Sequence, residues 1–225
     1  MNEAMRIVSF GDIHMSVGTI ARLAPELVTA DLVILSGDLT NFGGGADAQP
    51  VLDAIAAHAR QVLALSGNLD QPEVIDFLRT AGICLHGESR RFGDLGIFGC
   101  GGSNLTPFHT PTEYREDELA ALLAAAHAGV AAAPRRLMVC HTPPLNTATD
   151  RIITGAHVGS AAVRKFIEQH QPELCITGHI HESAGVDRLG RTTIINAGAL
   201  KDGGYILVTD SPAGLNAELK FLGRD

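Results

Sequence analysis

The chain has 225 residues and a formal net charge of -8, long enough for a sizeable core and too acidic for a general nucleic-acid binder, which needs basic patches. Two Tyr, eight Phe and no Trp leave few platforms on which bases could stack. No apolar run approaches the roughly 18 residues of a membrane span, and MNEAMRIVSF lacks a signal-peptide core, so the sequence predicts a cytoplasmic protein without membrane contact.

In chain order, a first strand over 5–10 runs into Gly11-Asp12-Ile13-His14. A helical pattern over 18–30 puts Ile20, Leu23, Leu27 and Val28 on one face, and Pro25 inside it predicts a break or a late start. DLVILS, over 31–36, is a buried strand by its Leu, Val and Ile content and leads into Gly37-Asp38 and a Gly-rich loop. A helix over 47–60 and a strand over 62–66 lead into Gly67-Asn68-Leu69-Asp70. The next helix, 71–80, has Asp70 as its expected N-cap and Pro72 just inside. A strand over 83–86 and a hairpin turning at Gly93-Asp94 follow. Residues 99–109 read as a polar loop, and 112–130 as an Ala-rich helix with Glu113, Glu116, Asp117 and Glu118 near its positive end.

A strand over 137–140 then runs into His141, a helix spans 160–170, and a strand over 174–177 runs into Gly178-His179-Ile180-His181. Antiparallel strands complete the chain. Without a linker or a composition shift, residues 1–225 are expected to form one domain. Cys84, Cys100, Cys140 and Cys175 sit in apolar runs without CxxC spacing, which predicts buried, reduced thiols.

The five strand ends carry Asp12, His14, Asp38, Asn68, His141, His179 and His181. Asp12/His14 and His179/His181 are spaced i, i+2, which on an extended segment places both side chains on one face. Mixed carboxylate and imidazole ligands suit Mn, Fe, Zn or Ni better than Ca or Mg, with Mn the first expectation. Seven side chains are too many for one ion that keeps an open position. They suit two divalent ions roughly 3.5–4 Å apart with one shared carboxylate, and Asp38 is the expected bridge. Two such ions, less the charges of Asp12, Asp38 and a hydroxide, leave about +1, which attracts a phosphate ester even into an acidic protein.

The ordered series GDIH, GD, GNLD, H, GHIH resembles the calcineurin-like metallophosphoesterase superfamily over about the whole chain. The five parts in order are specific; any one alone is not. The resemblance implies an α/β fold of two mixed β-sheets packed face to face with flanking helices, a four-layer αββα sandwich. It implies that Asp12, His14, Asp38 and His181 hold one ion, and that Asp38, Asn68, His141 and His179 hold the other. The implied activity is hydrolysis of a small phosphodiester or activated phosphomonoester by a metal-bridging hydroxide, with Asp38 and Asn68 in the catalytic centre. The family's third motif usually reads GNH, with a histidine that protonates the leaving group or steadies the phosphate; here Leu69 stands in its place. This departure leaves a catalytically weak or inactive binding scaffold as the alternative.

Of the remaining histidines, loop residue His109 is the expected replacement acid, ahead of His157. Asn104 and Arg151 are candidate phosphate contacts. His58, His127 and His170 are expected at the surface, and His86 as a turn residue. The oligomeric state is not legible.

Overall fold

Along the chain come Met5–Phe10 (β1), Val17–Thr29 (α1), Leu32–Leu35 (β2), Gly45–Ala56 (α2), Val62–Ala64 (β3), Glu73–Thr80 (α3), Ser89–Phe92 (β4) and Leu95–Cys100 (β5). Then follow Ser103–Asn104 (β6), Glu113–Tyr114 (β7), Glu116–Ala128 (α4), Arg135–Cys140 (β8), Ala161–His170 (α5) and Leu174–Thr177 (β9). Gly185–Leu189 (β10), Thr192–Asn196 (β11), Gly204–Ser211 (β12) and Gly214–Phe221 (β13) close the chain. This is a computed structural model, and it describes residues 4–223.

One sheet has the order β13-β12-β1-β2-β3, the other β10-β11-β9-β8-β5-β4. The β1-β2-β3 and β5-β8-β9-β11 ladders are parallel, while β12, β13, β4 and β10 pair antiparallel toward the edges. Composition explains the arrangement. LVIL in β2 and LCIT in β9 are buried at every residue, as parallel strands covered on both faces must be. Strand β10 alternates in burial, as an edge strand does.

Alternation along β1 shows the layering. Ile7 points into a core shared with Leu32, Ile34, Ile97, Leu137, Val139 and Ile176, so that core lies between the two sheets. Val8 and Phe10 point the other way, against Ile20, Leu23 and Leu27 of α1, Val51 and Ile55 of α2, and Leu78 of α3. A third core seats Leu119, Leu123, Val163 and Ile167 of α4 and α5 on Phe98, Met138 and Cys175 of the six-stranded sheet. The result is the expected four layers. Each fully buried aliphatic side chain contributes about 1.5–3 kcal/mol.

Several local expectations are corrected. Helix α1 runs through Pro25 without a break, at the cost of one ladder bond, because its apolar stripe is packed on β1 and β2. Residues 83–86 make single bridges, Ala64 with Cys84 and His86 with Gly99, rather than a strand. The predicted loop contains β6, which pairs in parallel with β7, so Glu113 lies in a strand and α4 begins only at Glu116. His127 is buried, packed against Phe98 and Phe166. His86 is buried too, with its Nδ1 accepting from Gly101 N–H at 3.0 Å. The four cysteines are buried and free.

Candidate metal centre

The strands end in turns whose backbones are unusual for their residues. Asp12, His14, Asp38 and His179 have φ of 48°, 47°, 51° and 69°. Left-handed backbone costs a non-glycine residue about 1–2 kcal/mol, so neighbouring contacts must hold it. Asp12 N–H donates to the Gly37 carbonyl at 2.9 Å, and Ile13 and His14 N–H donate to the Asp38 carbonyl at 2.8 and 3.0 Å. The turns after β1 and β2 are thus bonded to each other. Gly67 is required by space: a Cβ there would lie 2.0 Å from Asp38 Oδ1 and 2.2 Å from Asp38 N.

The buried Asp70 carboxylate ties the next turn in. It accepts from Leu39 N–H (3.1 Å), Thr40 N–H (2.8 Å), Thr40 Oγ1 (2.8 Å) and Gly67 N–H (2.8 Å). The expected helix cap is therefore corrected: the N-cap position of α3 is Pro72, without a side-chain cap bond. Burial and the nearby Asp38 charge push the Asp70 carboxyl up to about 6.

Two groups of donors result. In the first, Asp12, His14, Asp38 and His181 each offer a ligand atom, all within 4.8 Å of one another. His14 Nε2 lies 3.2 Å from His181 Nε2, and His181 Nε2 lies 3.1 Å from Asp12 Oδ1. In the second, Asn68 Oδ1 lies 3.1 Å from His141 Nε2 and 2.8 Å from His179 Nδ1. Asp38 stands between the groups. Its Oδ2 is 3.8 Å from His14 Nε2 and 3.5 Å from His141 Nε2, while Oδ1 accepts from Leu69 N–H at 2.8 Å.

The pairing of His179 with His181 is also corrected. Their rings do not share one face, as the spacing suggested; one goes to each group, as the resemblance implied. The segment is not extended, because His179 is left-handed and His181 opens a short 3-10 turn, His181–Ser183.

The donor set calls for positive charge at its centre. His141 Nδ1 faces the Ser36 carbonyl at 2.8 Å, so Nδ1 carries a hydrogen. In a neutral ring, Nε2 then presents a lone pair to two further acceptors, Asn68 Oδ1 and Asp38 Oδ2. A proton or a metal ion at that point satisfies all three. Burial lowers the basicity of His141, but Asp38, Asp12 and the Ser36 carbonyl push it up to about 9, so the proton takes the place when no ion is there. His179 is pushed down to about 4 by burial and by His141, which leaves its ring neutral. The residues present therefore fit divalent ions, with a backbone carbonyl behind His141 as such ligands usually have.

The other candidates lie in the surrounding loops. His109 is exposed, with φ 51°. The Asn104 amide is engaged at both ends, donating to the Val158 carbonyl at 3.2 Å and accepting from Thr142 Oγ1 at 2.8 Å, so it ties two loops together. Arg151 is exposed, and its carbonyl accepts from Ser183 Oγ. His157 Nδ1 lies 2.5 Å from Oδ1 of buried Asp150, which also accepts from Asn146, Thr147 and Gly159 N–H. Sequence reasoning missed Thr110, whose Oγ1 is 3.0 Å from Asn68 Nδ2. A lone threonine in a polar loop carries no signal for that contact.

Two large mixed sheets with an Asp/His cluster at their strand ends are the features by which a phosphoesterase family is compared. The chain belongs to the calcineurin-like phosphoesterase superfamily, whose domain matches residues 5–207. It is 34% identical over 200 residues to the uncharacterized protein MJ1162 of Methanocaldococcus jannaschii, covering 87% of this chain and 89% of that protein. Over 175 residues it is 28% identical to the probable cyclic nucleotide phosphodiesterase syc0937_d of Synechococcus sp., covering 75% of this chain and 64% of that protein. Its fold matches the crystal structure of TT1561 of Thermus thermophilus with a TM-score of 0.73 at 19% identity, covering 98% of this chain and 100% of that one.

Proposed function

We propose that residues 1–225 form one catalytic domain that hydrolyses phosphodiesters or activated phosphomonoesters with two divalent transition-metal ions. The observation that carries the reading is Asp38 Oδ2, which faces one imidazole of each donor group. Asp12, His14, Asp38 and His181 would hold one ion, and Asp38, Asn68, His141 and His179 the other. Once bound, the pair supplies charge for the phosphoryl oxygens and a nucleophile from water at neutral pH. The protein's own contribution is position: buried side chains on bonded turns need little rearrangement when charge develops on the ester. Arg151, on the loop anchored to Ser183, is the proposed contact for a phosphate oxygen.

The substrate reading rests on Leu69 and on exposed apolar side chains of the surrounding loops. Leu69 transfers no proton, which favours a leaving group that departs as a stable anion. Met15, Phe42, Leu105, Phe108 and Ile153 are exposed on the loops that carry or adjoin the candidate residues. Ile153 N–H is held by Glu182 beside His181, at 3.2 Å. Exposed apolar side chains on these loops would suit an aryl or otherwise apolar ester group. The related phosphodiesterase supports diesters as the substrate class.

The test is release of nitrophenol from bis-p-nitrophenyl phosphate and p-nitrophenyl phosphate. We expect turnover with Mn²⁺, its loss on chelation and its return when Mn²⁺ is restored. No metal-dependent turnover of either ester would overturn the reading in favour of a binding scaffold. His109 is the proposed acid, so its role is read from leaving groups. His109→Ala should slow phenyl or alkyl esters by about 10²-fold or more and nitrophenyl esters only a few-fold. Equal slowing of both would remove His109 from the chemistry.

A further inference from the structure

Asn68 is the one candidate ligand whose side chain has two ends of opposite character. Its Oδ1 can accept a bond or hold a cation; its Nδ2 can do neither. Whichever end faces His141 and His179 decides whether a second ion has a ligand there. The chain settles this from outside the centre. Glu113 Oε1 accepts from Thr110 N–H at 2.7 Å, Thr110 Oγ1 at 2.6 Å and Thr106 Oγ1 at 2.5 Å, and Oε2 accepts from Thr106 N–H at 3.1 Å. A carboxylate with this many donors is acceptor-only. The single hydroxyl hydrogen of Thr110 is thereby committed to Glu113, and Thr110 Oγ1 has only lone pairs left for Asn68, 3.0 Å away. The Asn68 group facing it must then be the NH₂, which turns Oδ1 toward His141 Nε2 and His179 Nδ1.

The position of Thr110 is itself fixed. Thr112 N–H donates to the Asn68 carbonyl at 3.1 Å, and Thr112 Oγ1 donates to the Asp70 carbonyl at 2.6 Å. Ser103 pairs with Glu113 in the β6–β7 ladder. The loop is therefore docked on the turn that carries Asn68.

We propose that Thr110, oriented by Glu113, is a positioning residue that sets the direction of the Asn68 amide and so completes the second ion site. The proposal rests on the reading of Asn68 as a ligand of that site. A reversed amide would aim two N–H donors at the ion and its imidazoles, and would set a carbonyl against a hydroxyl that has no hydrogen to give.

The experiment is Mn²⁺ titration of the full chain by calorimetry, with electron paramagnetic resonance to distinguish single from paired ions. Wild type is expected to bind two ions and give the paired signal. Thr110→Val keeps the shape and removes the acceptor; it should keep the first ion and bind the second about 10–100-fold more weakly. Thr110→Ser restores the hydroxyl and should return the second site to within a few-fold of wild type, which a general packing role for Thr110 would not produce. Glu113→Gln can donate to the hydroxyl, freeing it to turn, and should also weaken only the second site. Should Thr110→Val fail to fold, Glu113→Gln decides alone. Wild-type affinity at the second site in the folded variants would overturn the positioning role. A wild type with one ion, or an Asn68→Ala variant with two tightly bound, would instead overturn the ligand reading.

Discussion

Replacing Asp38 with asparagine should abolish tight binding at both ion sites at once and lower kcat/KM for metal-dependent ester hydrolysis by about 10³-fold, the scale of several kcal/mol of lost charge stabilisation. The reason is one atom. Asp38 Oδ2 is the oxygen that faces both His14 and His141, at 3.8 and 3.5 Å. Asparagine can keep the bond that Leu69 N–H makes to Oδ1, so the turn is conserved while an NH₂ replaces the shared oxygen. The centre also loses a full negative charge; His141 and His14 hold the Asp38 carboxyl below its usual range against the pull of burial. His14→Ala and Asn68→Ala are the contrasting cases, each weakening one site. Metal analysis and Mn²⁺ titration of the three variants give the comparison, with the circular dichroism spectrum as the check on folding. An Asp38→Asn protein that lost only one site would refute the bridge.

The five strand ends were legible because strands covered on both faces run mostly apolar toward their C-terminal ends, as LVIL in β2 does, so the polar residues that follow stand out. That is how Asp12, Asp38, Asn68, His141 and His179 could be picked from the sequence. The division of labour between His179 and His181 was not legible from their spacing. Spacing of i, i+2 places side chains together only on extended backbone, and nothing in GHIH signals that His179 is left-handed. The burial of His127 was hidden for a different reason. Alanine on many faces of α4 gives little contrast between inside and outside, and only packing against Phe98 and Phe166 decides it. Glu113 was masked by its neighbours. Beside Glu116, Asp117 and Glu118 it reads as one more acid at a helix start, yet it belongs to a strand of two residues, too short to show a period.

Asp70 is the case where a local rule gave a reasonable answer and tertiary structure gave another, and it carries the second large effect. Asp70→Ala should lower the unfolding free energy by about 2–4 kcal/mol and weaken both ion sites. The carboxylate receives four hydrogen bonds, from Leu39, Thr40 and Gly67. Alanine leaves those donors without their acceptor, at about 1–3 kcal/mol for each that water cannot reach. Against this stands the relief of removing a buried charge. Burial and Asp38 raise the Asp70 carboxyl to about 6, so its charge is costly in the folded chain. The donors outweigh the relief, because removing one partner of a buried polar network strands the others. Asp70→Asn should fall between alanine and wild type: it sheds the charge and keeps one acceptor, but turns an NH₂ toward N–H groups. A helix cap would behave differently, costing about 1 kcal/mol and leaving the ions untouched. Leu39 and Thr40 follow Asp38, the proposed bridge, and Gly67 precedes Asn68, so loosening Asp70 should move proposed ligands of both sites. Denaturant unfolding of metal-free protein, paired with Mn²⁺ titration, separates the two roles: a small stability loss with unchanged metal affinity would return Asp70 to a cap.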